Sequence, residues 1–251
     1  MPDEFARRIA RNTSAVLHDE SSLSRVLDAG GGSWYLESLT AALAEAAWPR
    51  FTELEASGGA LAALESGRIA ELLTVTRERR ARDVATRRAP ITGVSEFALV
   101  SEPPLARVRL APSPAGLLPA ARWAEGFEAL RDRADAFAVR PKIFLAALGP
   151  VAAHTARLSF ASNLFQAGGI DVVVGTGDAD ALAVQFAASG TSIACLCGAD
   201  VTYEEQGAEV AKSLGAAALW MAGRAEVDGV DGQVFAGCDA IEALTKVLDA
   251  S

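Results

Sequence analysis

The sequence is 251 residues long, 51% hydrophobic and 22% charged, and has a net charge of −9 at pH 7. This composition supports a sizeable core and excludes disorder throughout, and no apolar run reaches the roughly 18 to 20 residues that a membrane span needs. Residues 141–251 have 5 Lys and Arg against 13 Asp and Glu, and an acidic surface of this kind repels nucleic acid. The N-terminus lacks the apolar core of a signal peptide, and three Cys suit a reducing compartment, so we expect a cytoplasmic protein that binds neither membrane nor nucleic acid.

Residues 1–98 are predicted to form a mainly helical first segment. Apolar residues at helical spacing predict four helices, over Phe5–His18, Leu39–Glu55, Ala60–Ser66 and Arg68–Thr86. Pro49 is expected to kink or split the second of them, because proline removes a backbone donor inside a helix. The arginines of the last helix, between Arg77 and Arg88, alternate with acidic residues, which favours a solvated or partner-facing flank over an anion site.

The glycine run Gly30–Gly32 predicts a turn, and Trp34–Leu36 is expected to be extended after it. A phosphate-binding loop needs a buried strand before it and a helix start after it. We therefore do not expect this run to bind phosphate.

Residues 99–140 are predicted to be a linker followed by one helix. Five prolines between Pro103 and Pro119 indicate an extended segment over residues 100–121. Trp123–Phe137 has an apolar face at helical spacing and predicts a helix.

Residues 141–251 alternate between short apolar runs and helical patterns. Strands are predicted over Ile143–Ala147, Ile170–Val174, Ser192–Leu196, Ala217–Met221 and Gln233–Phe235, and helices over Val151–Gln166, Asp180–Ala188, Tyr203–Leu214, near Ala225, and over Ala240–Leu248. Asp178 and Asp239 are predicted helix caps. The alternation predicts an α/β fold, a flavodoxin-like, doubly wound parallel sheet of five strands. Ligands of such sheets bind beyond the carboxyl ends of the strands, here at the loop Leu148–Thr155.

That loop resembles the corresponding loop in the cobalamin-binding domain of methylmalonyl-CoA mutases, which has the pattern Asp-x-His-x-x-Gly with a His that ligates cobalt. When the two are aligned on Gly149, Val151 takes the Asp position and Ala153 the His position. His154 follows one residue late, about 100° further round a helix, and Ala152 cannot orient its ring as a carboxylate would. We therefore expect His154 to bond with backbone or water and the chain to hold no metal.

Two further motifs of the family are altered in the same way. The Ser-x-Leu segment near the cofactor's nucleotide tail corresponds to Cys195-Leu196-Cys197, and the Gly-Gly pair to Ala222-Gly223. The resemblance implies a degenerate cobalamin-binding domain whose vestigial site comprises Gly149, Ala153, His154, Cys195, Cys197 and Gly223. The two thiols are expected to be buried and free. This pattern is that of the small, non-catalytic subunit of the heterodimeric bacterial mutases.

The first segment is similar to the region that follows the substrate barrel of these mutases, over about eighty residues that include Ala10–Thr13, Gly32–Tyr35 and Arg87–Phe97. The resemblance implies the C-terminal part of a small subunit in a heterodimer of propionate metabolism. Its large subunit would hold adenosylcobalamin and interconvert methylmalonyl-CoA and succinyl-CoA. The barrel is missing here, so we expect no catalysis by this chain alone and no cofactor bound to it. Whether another chain supplies the barrel stays open.

A stand-alone corrinoid-binding module without His ligation remains an alternative. A phosphorylatable receiver domain is rejected, because Cys197-Gly198-Ala199 occupies the end of the third strand, where an Asp would be needed.

Overall fold

A computed structural model describes residues 3–102, 116, 118 and 121–251. These residues fall into two compact units, the first containing residues 3–74 and the second residues 75–102 with 121–251. The division differs from the expected boundaries near residues 98 and 140. Most of the predicted proline-rich linker lies outside the described residues. No helix within the described residues is long and apolar enough to cross a membrane.

The first unit is helical, as predicted. It contains α1 (Glu4–Asp19), a short 3-10 turn (Leu23–Arg25), α2 (Trp34–Ala56) and α3 (Gly59–Glu65), and α4 (Arg68–Ala85) continues from it into the second unit. The Asp3 side chain caps α1 by accepting a hydrogen bond from the Ala6 amide at 2.8 Å.

One prediction for this unit was wrong. Trp34–Leu36 is not extended but begins α2, because the Glu37 carboxylate accepts from the Gly32 amide and the Glu37 amide donates to the Ser33 carbonyl, which together start the helix. Of the two effects expected of Pro49, a kink or a split, the split does not occur, since α2 is continuous over 23 residues. Pro49 removes one backbone donor, the one that would bond to the carbonyl four residues earlier.

The second unit contains the predicted parallel sheet of five strands. The strands are β1 (Lys142–Ala147), β2 (Asp171–Thr176), β3 (Ile193–Cys197), β4 (Ala218–Ala222) and β5 (Gly232–Val234), in the order β2-β1-β3-β4-β5. Because both faces are covered by helices, the central strands are apolar throughout, and this confirms the flavodoxin-like fold. Gly175 is required in β2, since a Cβ there would lie 2.1 Å from Cζ of Phe144 on the neighbouring strand.

Helices pack on both faces of the sheet. They are α5 (Glu125–Asp135), α6 (Val151–Ala167), α7 (Ala179–Ala188), α8 (Asp200–Thr202), a π-helical turn (Tyr203–Gly207), α9 (Ala208–Leu214) and α10 (Ala240–Asp249). The cores show that α5, α6 and α10 cover one face and that α7 and α9 cover the other. Both predicted caps are confirmed, because Asp178 accepts from the Ala181 amide and Asp239 from the Glu242 amide.

The predicted helix over Tyr203–Leu214 is present, with the π-helical turn as its first five residues and α9 as the rest. The prediction of a helix near Ala225 was wrong, because no helix forms there. That segment lies between Gly223 and Gly229, which both have a positive φ that interrupts helical geometry.

Candidate functional site at the carboxyl ends of the strands

The crevice between the ends of β1 and β3 is where ligands usually bind in this fold, because the helices after these strands lie on opposite faces of the sheet. Here the chain closes it. The Leu148 amide donates to the Cys197 carbonyl at 2.9 Å, so the two strand ends remain joined. Gly149 has a φ of +74°, and a Cβ on it would lie 3.1 Å from Cγ2 of the buried Thr202. Thr202 at the end of α8 therefore lies in close contact with Gly149 of the loop.

Two residues mark the ligand position expected after β1. Ala153, which the resemblance aligned with the cobalt ligand, has no ligating atom. His154 is buried, and its Nδ1 lies 3.2 Å from the Gly149 carbonyl oxygen. Since a carbonyl only accepts, Nδ1 carries the proton and the ring is tied to its own loop. Within the described part of the chain, no three His, Cys, Asp or Glu residues cluster as a metal site would require.

The buried hydroxyl of Tyr203 bonds to backbone groups at the ends of both β3 and β4. Its side chain is 2% exposed, and its hydroxyl accepts from the Gly198 amide at 2.9 Å. The same hydroxyl lies 3.0 Å from the Leu196 carbonyl and 2.7 Å from the Ala222 carbonyl, to which it donates its single proton. Tyr203 begins the π-helical turn, and π-helical turns within helices are frequent at functional sites. The aromatic ring thus occupies the region that the resemblance assigned to the vestigial site.

Arg157 of α6 covers the same region from outside. Its Nη1 donates to the Gly198 carbonyl at 2.7 Å and its Nη2 to Oδ1 of Asp200 at 2.6 Å, while the guanidinium lies 5.2 Å from the centre of the Tyr203 ring. Burial lowers the pKa of Arg157, but the hydrogen bonds to Asp200 and Tyr203 outweigh it, and the pKa is raised. A Cβ on Gly223 would lie 3.0 Å from Arg157 Nη1. Gly223 therefore makes room for Arg157, a residue of the chain itself.

Cys195 and Cys197 belong to the core under α6 and α10. Both thiols are free and fully buried, as predicted, and Cys238 is free and half-buried. Burial raises the pKa of the Cys195 thiol well above its usual value, and Cys197 beside it raises it further. Cys195 therefore acts as a small apolar residue and not as a nucleophile.

Stability is expected to decrease at alkaline pH. The pKa of Cys195 is raised from 9.0, chiefly by burial, and that of Tyr203 from 10.0, also chiefly by burial. A raised folded-state pKa gives stability that is complete below the unfolded pKa and is lost as pH rises above it. Urea unfolding between pH 8 and pH 10.5 should show a decreasing midpoint that Cys195→Ala makes less steep. Cys238→Ala is the control, and an identical slope in all three proteins would contradict this account.

An open cleft lies beside the closed crevice, between α6 and the ends of β4 and β5. It has a volume of about 1000 Å³. Phe160, Val234 and Phe235 form its apolar floor, and Arg224 lies on its rim with the guanidinium 4.2 Å from the centre of the Phe235 ring. A cleft of this size is large enough for a small-molecule ligand.

Sequence reasoning found part of this region and missed the rest. Gly149 lies in the loop after β1, Ala153 and His154 lie in the first turn of α6, Cys197 ends β3 and Gly223 follows β4, so these five residues lie at the carboxyl ends of the strands. Cys195 lies in the middle of β3, inside the core. The residues that fill this edge were missed. The one available signal was a lone aromatic, Tyr203, six residues beyond the end of β3 and inside an otherwise polar helix start.

One family sequence profile covers the N-terminal part of the chain together with β1 and the loop after it. The family profile described as "Methylmalonyl-CoA mutase" matches residues 1–159, which is more than half of the chain. The chain belongs to the methylmalonyl-CoA mutase family.

Curated relatives agree with this family and name one of its subunits. The "Methylmalonyl-CoA mutase small subunit" of Streptomyces virginiae is 52% identical over 99% of this chain and 42% of its own length. The "Probable methylmalonyl-CoA mutase small subunit" of Mycobacterium tuberculosis H37Rv is 40% identical over 97% of this chain and 41% of its own length. The "Methylmalonyl-CoA mutase small subunit" of Propionibacterium freudenreichii subsp. shermanii is 38% identical over 98% of this chain and 41% of its own length. The chain thus spans about two fifths of the length of the relatives it matches.

Proposed function

We propose that the chain is the C-terminal part of a methylmalonyl-CoA mutase small subunit and supports a catalytic large subunit in a heterodimer. In this proposal the large subunit holds adenosylcobalamin and interconverts methylmalonyl-CoA and succinyl-CoA, an isomerase reaction of propionate metabolism. The observation that carries the proposal is the 52% identity with a small subunit over 99% of the chain. Free cysteines fit a cytoplasmic location.

The closed crevice supports a non-catalytic role. Ala153 stands at the expected ligand position, the His154 ring is hydrogen-bonded to the Gly149 carbonyl, and Thr202 lies in close contact with Gly149. These residues do not fit a His-ligated corrinoid, and we assign no step of corrinoid chemistry to them.

The surface of the first unit supports a role in assembly. Among residues 3–74, only Ala63 is buried, and large apolar side chains of α1 and α2 face solvent, with Trp34 90% exposed. A helical unit that exposes so much apolar area lacks a core of its own, and such surfaces mark protein contacts. We propose that this surface packs against mutase polypeptide from the three fifths of the relatives' length that lie outside the match.

Co-purification and cobalamin titration test the proposal together. The chain is co-expressed with a mutase large subunit and with the part of the Streptomyces virginiae small subunit outside the match. We expect the chain to co-purify in a stoichiometric complex and, by itself, to leave the absorption spectrum of added cobalamin unchanged. Uptake of cobalamin by the isolated chain at micromolar concentration, or failure to enter the complex, would contradict the proposal.

A second candidate is a corrinoid-binding module without His ligation. The cleft of about 1000 Å³ beside the crevice favours it, because its apolar floor is formed by α6 and the ends of β4 and β5. Such a module would retain hydroxocobalamin in equilibrium dialysis while the lower-ligand features of the cobalt spectrum stayed unaltered. Dialysis without retention excludes it.

A further inference from the structure

The first unit has almost no interior. Among its described residues, 3–74, only Ala63 is buried, and neither α1 nor α2 contains a buried residue. The second unit differs, because Phe144, Leu145 and Leu196 are fully buried in its sheet. A folded domain offsets the loss of chain entropy mainly by burying apolar side chains. Residues 3–74 therefore lack the main source of stability that the second unit has.

The apolar side chains of this unit are exposed instead. In α1, Phe5, Ile9 and Val16 are exposed and share one side of the helix. In α2, Leu43 and Trp48 are 62% and 64% exposed. Contiguous exposed apolar surface of this kind is rare in a protein that folds by itself and indicates a surface that a partner covers.

The contacts between the helices of this unit are also weak. Nη2 of Arg68 in α4 lies 2.8 Å from Oε1 of Glu53 in α2, but both side chains are exposed, and exposed ion pairs contribute little to stability. The helix α3 has only seven residues, and α2 carries Pro49 in its interior. Helices of these kinds are marginally stable in water unless tertiary packing supports them.

We propose that residues 3–74 have no stable tertiary structure in the free chain and acquire it only when they bind mutase polypeptide. The inference rests on the proposed function for its partner, which is the polypeptide from the three fifths of the relatives' length outside the match. Binding and folding of the first unit are then one coupled event, in which the partner supplies the missing interior. The second unit folds independently, because it has its own core.

Hydrogen exchange followed by mass spectrometry tests the inference on the full chain, both free and in the complex obtained by co-purification. In the free chain, the amides of α1 and α2 should exchange within about tenfold of the unprotected rate, as in isolated helices, whereas those of β1 and β3 should be strongly protected. In the complex, exchange in α1 and α2 should slow at least about 100-fold. The strands β1 and β3 are the internal control, because their protection should not change.

Thermal unfolding of the free chain gives a second test. Leu43→Pro breaks α2 near its middle and should shift the unfolding midpoint by less than about 1 °C, because α2 adds nothing to the stability of the free chain. The matched control Leu145→Ala removes a fully buried side chain from β1. It should lower the midpoint by at least about 5 °C, because it leaves a cavity in the core of the second unit.

The outcomes separate this inference from the proposed function. Strong protection of α1 and α2 in the free chain, or a fall in the midpoint of Leu43→Pro as large as that of Leu145→Ala, overturns coupled folding and leaves the proposed function intact. Rapid exchange of α1 and α2 that persists within the complex overturns it as well. Failure of the chain to enter the complex overturns the proposed function and the partner named here, while the free-chain measurements still decide whether the first unit folds alone.

Discussion

Replacing Tyr203 by Phe is expected to lower the free energy of unfolding of the second unit by about 2 to 4 kcal/mol, because a buried hydroxyl that bonds to the backbone would be lost. The Gly198 amide would lose its acceptor, and the Leu196 and Ala222 carbonyls would lose their donor. All of these groups lie in a region closed to water by the Tyr203 ring and Arg157. The ring itself stays in the variant, so the change isolates the hydroxyl.

Urea unfolding followed by circular dichroism measures this effect. Tyr35→Phe is the matched control, since Tyr35 is the other tyrosine of the chain and is 74% exposed. The control should change the free energy of unfolding by less than about 0.5 kcal/mol, as is usual for exposed positions. An equally small change in Tyr203→Phe would show that the three backbone groups find other partners.

Charged substitutions on α2 are expected to remove the chain from the mutase complex. Leu39 and Leu43 are both exposed and lie one turn apart on the same side of the helix. The double variant Leu39→Asp, Leu43→Asp would place two carboxylates in a contact that we propose to be apolar, where an unpaired charge is strongly unfavourable. Recovery of the chain in the co-purification should fall at least about 100-fold. This is the effect expected when interface contacts that contribute about 3 kcal/mol to the binding free energy are lost.

The control for this experiment is Ala41→Asp on the opposite side of α2, between Glu37 and Glu45. It introduces the same side chain where acidic residues already occur, and recovery should stay close to that of the wild type. Circular dichroism of each variant checks that the helices persist. Equal recovery of all three proteins would mean that this side of α2 contacts no mutase polypeptide.

The strands and the two helix caps could be predicted because the residues that determine each of them are close together in the sequence. Apolar runs near glycine or proline indicated β1 to β4, which have five or six residues each, and Asp178 and Asp239 stand directly before their helices. The start of α2 was missed because the aromatic pair Trp34-Tyr35 favours extended structure by propensity, whereas the Glu37 contact with Gly32 decides for a helix.

The candidate site was less predictable because its contacts join distant parts of the chain. The resemblance located the β1 loop and the ends of β3 and β4, but it gave no reason to connect Arg157 with Gly198, 41 residues later. The burial of Arg87 is equally non-local, since the Phe160 ring of α6 lies 5.4 Å from its guanidinium. No periodic pattern in the sequence indicates either set of contacts.

The contacts of Tyr203 and Arg157 make it unfavourable to build a new ligand site at this edge of the sheet one substitution at a time. A histidine introduced at position 153 would still lie beside the close contact between Gly149 and Thr202, and a smaller residue at position 203 would leave three backbone groups without their partner. Opening this edge would therefore destabilise the fold before a ligand could enter. Several substitutions would have to occur together.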